Sequence, residues 1–321
     1  MDSHYLQTLR FQLQKRVRRL NSCHYEVFHS LQNQFWHYLQ SHEIFKGILL
    51  LIENSAPPFT EELNGAFSGN EYFIFDNEEE HLHFCYRIVK ACVNTDTQDG
   101  RTVYPELEIG RAYTGSGREE GLEQYRENIL EPFYEHLDEA LDQQTAVLSL
   151  LFKYKKRTEW FYRADLLARM ASDTVRAEKL LARDLYAYLH DQGLEFEIEP
   201  ASASGEIDLL AENLLLDAKI FDGASRNVSY LLKGFKQVHT YSCDYNQHVG
   251  YLAIFKTCEE DLHFEFATAE TLVPFVLVGD KLIYLLVIDI HDHQKSASKR
   301  GKLSAHVIQR EQFRSMLEVE V

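Results

Sequence analysis

The stretch Gly205-Glu206-Ile207-Asp208-Leu209-Leu210-Ala211-Glu212-Asn213-Leu214-Leu215-Leu216-Asp217-Ala218-Lys219 constrains this chain more than any other. Two apolar runs flank Glu212-Asn213, and Asn tolerates the backbone of a tight turn, so the stretch predicts a β-hairpin. With the turn there, Ala211 faces Leu214, Leu210 faces Leu215, and Asp208 faces Asp217. Side chains alternate along a strand, so Asp217 and Lys219 share one face while Ala218 and Ile220 take the other.

The hairpin therefore gathers Asp208, Asp217 and Lys219. Carboxylates opposed across strands repel, and an apolar sheet tolerates them only if a cation neutralises them. Hard oxygen donors suit Mg²⁺ or Mn²⁺. The plainer alternative is an exposed hairpin with a surface salt bridge. Upstream, Glu178 lies on the same helical stripe as Leu181, Leu185 and Leu189, and a carboxylate there needs a partner, either a metal shared with the two aspartates or a nearby Arg. Downstream, Lys233, Gln237 and Tyr241 recur every four residues and form one column on a helix predicted over 228–242.

The order Glu178, Asp208, Asp217-Ala218-Lys219, Gln237-Val238-His239-Thr240-Tyr241 resembles the PD-(D/E)XK nuclease superfamily. The last five residues are similar to the QxxxY motif of its RecB-like branch. The resemblance covers roughly residues 170–290. It departs from the family in having Asp217 where many members have Glu, and Gly205-Glu206-Ile207 where some have Pro before the first Asp. It implies an α/β chain whose C-terminal part is a restriction-endonuclease-like core, a mixed β-sheet flanked by helices, behind a mainly helical α+β N-terminal domain. It also implies Mg²⁺- or Mn²⁺-dependent hydrolysis of nucleic-acid phosphodiesters, DNA before RNA, in phage defence, repair or restriction. Glu178, Asp208, Asp217 and the Ala218 carbonyl would hold metal, and Lys219, Gln237 and Tyr241 would complete the catalytic set. The rival expectation keeps the fold without the reaction, as a nucleic-acid-binding or assembly protein.

Composition sets the outer limits. A chain of 321 residues, 45% apolar, can bury one large core or two ordinary ones. No apolar run is long enough for a membrane helix, and no apolar leader follows Met1, so no membrane partner is expected. Five cysteines without paired spacing suggest free thiols in a reducing cytoplasm. A net charge of −17 argues against binding nucleic acid by bulk attraction and predicts weak affinity without metal or a partner. The basic run Lys153, Lys155, Lys156, Arg157, interleaved with aromatics, is the phosphate-contact candidate, with Lys233. A solvated linker helix is its plainer reading.

The division is placed near 143–165, giving domains 1–150 and 151–321. Residues 1–46 predict helices, with basic Arg10, Lys15, Arg16, Arg18 and Arg19 on the first. Ile48–Ile52, Tyr72–Phe75 and His81–Tyr86 predict strands. In that last strand His81, His83 and Cys85 would share a face, a spacing that invites zinc but lacks a second ligand group. Residues 94–117 predict loops, 118–143 an acidic amphipathic helix and 145–161 another. Strands follow at 194–200, 248–256 and 282–288, the last too apolar for an edge. His291-Asp292-His293 and Ser298-Lys299-Arg300-Gly301-Lys302 are expected on loop surfaces. The N-terminal domain is assigned sensing, docking on nucleic acid, or assembly as a homo-oligomer or with a partner protein.

Overall fold

The computed structural model describes residues 2–55, 75–93, 105–114, 117–198, 200–202, 205–211, 214–267, 273–293 and 304–318. It divides into two compact units, 3–145 and 146–321.

In the first unit the described residues are helical: α1 (Asp2–Ser22), α2 (Tyr25–Ser41), α3 (Glu43–Ser55), α4 (Glu78–Val93), α5 (Pro105–Thr114) and α6 (Arg118–Tyr125), then a π-turn at Arg126–Leu130 and α7 (Glu131–Arg157). The division falls within α7. Phe28, Phe35, Phe45, Tyr125, Phe133, Leu137 and Leu141 are buried at the centre. Three sequence expectations fail here. Ile48–Ile52 is part of α3 and His81–Tyr86 part of α4. A continuous apolar run carries no period, and Ile48, Leu49 and Ile52 are buried together as one helical face. Pro105–Thr114, expected as loop, is helix because Gly110 touches the next helix. A Cβ on Gly110 would stand 1.7 Å from the carbonyl oxygen of Gly121, so the glycine serves close helix packing rather than a turn. The α+β reading of this half is therefore corrected to helical among the described residues. Tyr72–Ile74 and 94–104 lie outside them.

The second unit is a mixed α/β layer structure. After α7 come a π-turn at Thr158–Tyr162, α8 (Arg163–Ser172) and α9 (Ala177–Asp191). Then follow β1 (Glu197–Ile198), β2 (Ala201–Ser202), β3 (Gly205–Glu206), β4 (Leu209–Ala211), β5 (Leu214–Phe221), α10 (Val228–Asp244), β6 (Val249–Lys256), β7 (Asp261–Phe264), β8 (Phe275–Val278), β9 (Lys281–Asp289), β10 (Ala305–Ile308) and α11 (Arg310–Glu318). Six strands form one sheet in the order β1-β4-β5-β6-β9-β8. β5, β6 and β9 run parallel in its middle, and β4 and β8 are antiparallel to their neighbours. As its composition requires, β9 is an interior strand. The strand expected over 194–200 shortens to Glu197–Ile198, both exposed.

Helix α10 begins where Asn227 accepts hydrogen bonds from the Ser229 and Tyr230 amides. This N-cap satisfies donors the first turn would otherwise leave open. Its apolar stripe, Leu231, Phe235 and Val238, covers the sheet face formed by Leu215, Phe221, Leu252, Ile254, Ile283 and Leu285. Phe313 of α11 closes that core edge-on against Phe235, ring centres 4.8 Å apart. On the opposite face Phe255 meets Tyr154.

Phe235 is fully buried, so Phe235→Ala should destabilise the second unit by about 3–5 kcal/mol. Loss of the cap in Asn227→Ala should cost about 1 kcal/mol. Urea unfolding of the two variants checks the order.

Candidate active site

The local architecture starts from a short strand. β4 pairs with β5 at Ala211↔Leu214, Leu210↔Leu215 and Leu209↔Leu216, the register expected from the hairpin, although Glu212-Asn213 themselves lie outside the described residues. There the ladder stops, while β5 runs on to Phe221. Residues 218 and 220 on this edge have no strand to receive their amides. Two carboxylates take them instead. Asp208, one step beyond the last pair, accepts from the Ala218 N–H at 2.8 Å. Glu178, in the first turn of α9, accepts from the Ile220 N–H through Oε2 at 3.0 Å. Buried amides left unmade would cost about 1–3 kcal/mol each, so Glu178 and Asp208 act as substitute strand partners.

Asp217 and Lys219 point from β5 toward α10. Both are buried. Asp217 Oδ2 lies 2.6 Å from Lys219 Nζ. At that distance the two buried side chains form a direct ion pair. Glu178 Oε1 is 3.8 Å from the same ammonium. Three carboxylates thus surround one cation. Burial, reinforced by the Asp208 charge, pushes the Asp217 carboxyl above the ordinary range despite Lys219. Burial pulls the Lys219 ammonium down, but Asp217, Glu178 and Asp208 more than offset this and hold it above its ordinary value. Lys219 is therefore a fixed positive charge and not a proton acceptor near neutral pH.

Helix α10 covers this cluster with one stripe. At 100° per residue Tyr230, Gly234, Gln237 and Tyr241 fall on the same side. Tyr230 donates its hydroxyl to Glu178, 2.9 Å from Oε1. Gly234 leaves room for the Lys219 stem, since a Cβ there would come within 2.7 Å of Lys219 Cγ. Tyr241 is buried, and its hydroxyl is pushed up by desolvation and by the charge of Asp217. Gln237 lies on the stripe but is exposed, and Lys233 is exposed at its margin. Tyr230 and Gly234 escaped the sequence reading. The available signal was their spacing, seven and three residues before Gln237.

The oxygen-only donor set of Asp208, Asp217 and Glu178 suits a hard divalent cation. Among the described residues no group of three or more His, Cys, Asp or Glu side chains is arranged to hold a metal ion. The reason is visible: Asp208 and Glu178 each give an oxygen to a backbone amide of β5.

The basic run is drawn largely into the fold. Lys155 pairs with Glu159 and donates to the Val287 carbonyl. Arg157 pairs with Asp184 and stacks over the Tyr162 ring. Lys153 and Lys156 are exposed. In the first unit Arg10 pairs with Asp138 and Arg16 stacks on Tyr38. The zinc face does not form as expected, because His81, His83 and Cys85 sit on a helix, where His81 and Cys85 share a face, both at the Asn128 carbonyl, and His83 turns away. His291-Asp292-His293 is only partly a surface loop: His293 Nε2 is bound to Asp289 Oδ2 at 2.9 Å and its side chain is enclosed. Residues 298–302 lie outside the described residues. All five cysteines are free thiols, and among the described residues no helix is long and apolar enough to cross a membrane. No family model, no curated protein and no solved structure matches this chain.

A Cβ branch at 234 has nowhere to go, so Gly234→Val should cost about 1–3 kcal/mol through overpacking. Gln237→Ala, at the exposed position, should stay within about 0.5 kcal/mol. Chemical denaturation of both variants makes the comparison.

The raised Asp217 carboxyl also sets a pH dependence. The folded chain keeps a proton that the unfolded chain has released, so this group costs stability as pH rises toward neutrality. Without divalent ions, wild type should gain on Asp217→Asn as pH is lowered from neutral toward 5. Paired melts across that range read the sign.

Proposed function

We propose that the second unit is a divalent-metal-dependent phosphodiesterase acting on nucleic acid, DNA in the first instance, on a restriction-endonuclease-like core. The observation that carries this reading is the buried Asp217 carboxylate held 2.6 Å from the buried Lys219 ammonium. Asp208 and Glu178 stand next to it on the same exposed edge of β5. Three carboxylates and one ammonium leave an excess of negative charge that a divalent ion would balance. The sequence order of the same residues supports the reading independently, through the resemblance to the PD-(D/E)XK nucleases.

Asp217, Asp208 and Glu178, with the Ala218 carbonyl, would hold the ion. Bound there, it would acidify a water and draw charge from a phosphate oxygen. The chain's own residues do the rest. Lys219, kept protonated by its neighbours, stabilises the charge that gathers on the phosphate in the transition state. It needs no proton transfer to do so. Tyr230 fixes the rotamer of Glu178. Tyr241, packed beside Asp217, shapes the floor of the site, and the exposed Gln237 amide is placed to touch the strand.

One observation favours a second reading. Glu178 and Asp208 already have full structural employment on β5 amides, which a nucleic-acid-docking or assembly scaffold without hydrolysis would equally require. Calorimetry separates the two. An enzyme should take up Mn²⁺ in wild type and lose that uptake in Asp217→Asn, whereas a scaffold should show none that depends on Asp217.

Removing one electrostatic stabiliser costs on the order of 10²–10³ in rate. Lys219→Ala should therefore lose Mg²⁺-dependent cleavage of DNA by at least that factor. Undiminished cleavage by the purified variant sinks the assignment. Circular and linear DNA, and RNA, assayed side by side identify the substrate.

A further inference from the structure

Among the described residues of the second unit, the most exposed aromatic surface is not at the carboxylates. It is the π-turn Thr158–Tyr162 between α7 and α8. Trp160 and Phe161 are each 79% exposed. Leaving two large rings in water is unfavourable and marks a contact surface. The turn itself is firmly placed. Thr158 is fully buried. Glu159 Oε1 accepts from the Asp289 amide at 2.8 Å and pairs with Lys155, clipping the turn to the carboxyl end of β9. Arg163 donates to the Glu159 and His291 carbonyls. A firmly held turn thus presents its two rings outward.

The setting is cationic. Between 153 and 169 six cations (Lys153, Lys155, Lys156, Arg157, Arg163, Arg169) meet two anions (Glu159, Asp165), a local +4 in a chain of −17. Arg157 and Arg169 share Asp184, and Lys153 and Lys156 are exposed. The Tyr162 ring is already capped by the Arg157 guanidinium at 3.9 Å. Exposed rings with a cationic margin complement a polyanion whose bases are unpaired: every base offers a π-face, and the cations follow the phosphates.

Position ties this turn to the carboxylates. Asp289 is the register partner of Lys256, and Lys256 of Phe221, two residues past Lys219. With strands about 4.8 Å apart and about 3.3 Å per residue, the backbone anchor of Glu159 is on the order of 12 Å from Lys219.

We infer that Trp160 and Phe161 form a base-stacking platform that receives unpaired nucleotides of a single-stranded nucleic acid, a few positions from the bond presented to Asp217 and Lys219. The inference rests on the phosphodiesterase reading for its second half only; the platform itself is tested without hydrolysis.

The chain has two tryptophans, and Trp36 is buried, so quenching of exposed tryptophan emission reports Trp160 directly. The full chain is titrated in EDTA with a mixed-sequence single-stranded DNA, the matching RNA, the duplex of the same sequence, and anionic phospholipid vesicles. Single strands should quench the emission, duplex much less, and the effect should weaken with salt. Trp160→Ala and Phe161→Ala should each weaken single-strand binding, read by anisotropy of a labelled oligonucleotide, by roughly 5- to 100-fold. Both positions are solvent-exposed, and unchanged Trp36 emission in Trp160→Ala controls for folding. Equal single-strand affinity in both variants, or quenching by vesicles and not by oligonucleotides, overturns the platform. If Lys219→Ala still cleaves while oligonucleotides quench Trp160, the hydrolytic reading fails and the platform stands.

Discussion

Everything at the centre of the second unit follows from a ladder that ends too soon. β4 gives β5 three partners and then turns away, while β5 continues between residues that must stay buried. A buried amide needs an acceptor. In most sheets the next strand residue supplies it. Here the carboxylates of Asp208 and Glu178 do so. Negative charge is thereby brought to the sheet edge by the demands of backbone hydrogen bonding. Asp217 and Lys219 are brought to the same place by strand alternation.

Charge balance then governs the cluster. Lys219 is the cation closest to it, 2.6 Å from Asp217 and 3.8 Å from Glu178. Its stem passes beneath Gly234, where α10 comes closest to β5. Helix packing and electrostatics are thus coupled through one missing side chain. Tyr230 and Tyr241 hold the two ends of the same stripe, one bonded to Glu178 and the other packed near Asp217. The geometry places a fixed positive charge and an excess of negative charge within one small volume.

The basic run shows how context reassigns charge. Lys155 and Arg157 read in sequence as phosphate contacts, yet Glu159 and Asp184 claim them. What they support is the placement of the turn that carries Trp160 and Phe161. Cations used for internal structure still shape the potential around it, since the pairing is local and the excess remains positive over 153–169.

The sequence by itself determined the hairpin register, the shared face of Asp217 and Lys219, the helix holding Gln237 and Tyr241, and the interior position of β9. The first three are set by a short-range period, two in a strand and 3.6 in a helix, and the last by an apolar composition that an edge strand would expose. It did not determine the helical state of Ile48–Ile52, because an unbroken apolar run fits either period and only its neighbours choose, nor that of His81–Tyr86, whose short alternation fits a strand as well as a helix. Nor could it show that Glu178 and Asp208 would bond to β5 amides, that Gly234 makes room for Lys219, or that Asp289 and its neighbours hold Glu159. These contacts join residues 10 to 130 positions apart. They exist only once the sheet has brought distant strands to within about 5 Å of one another.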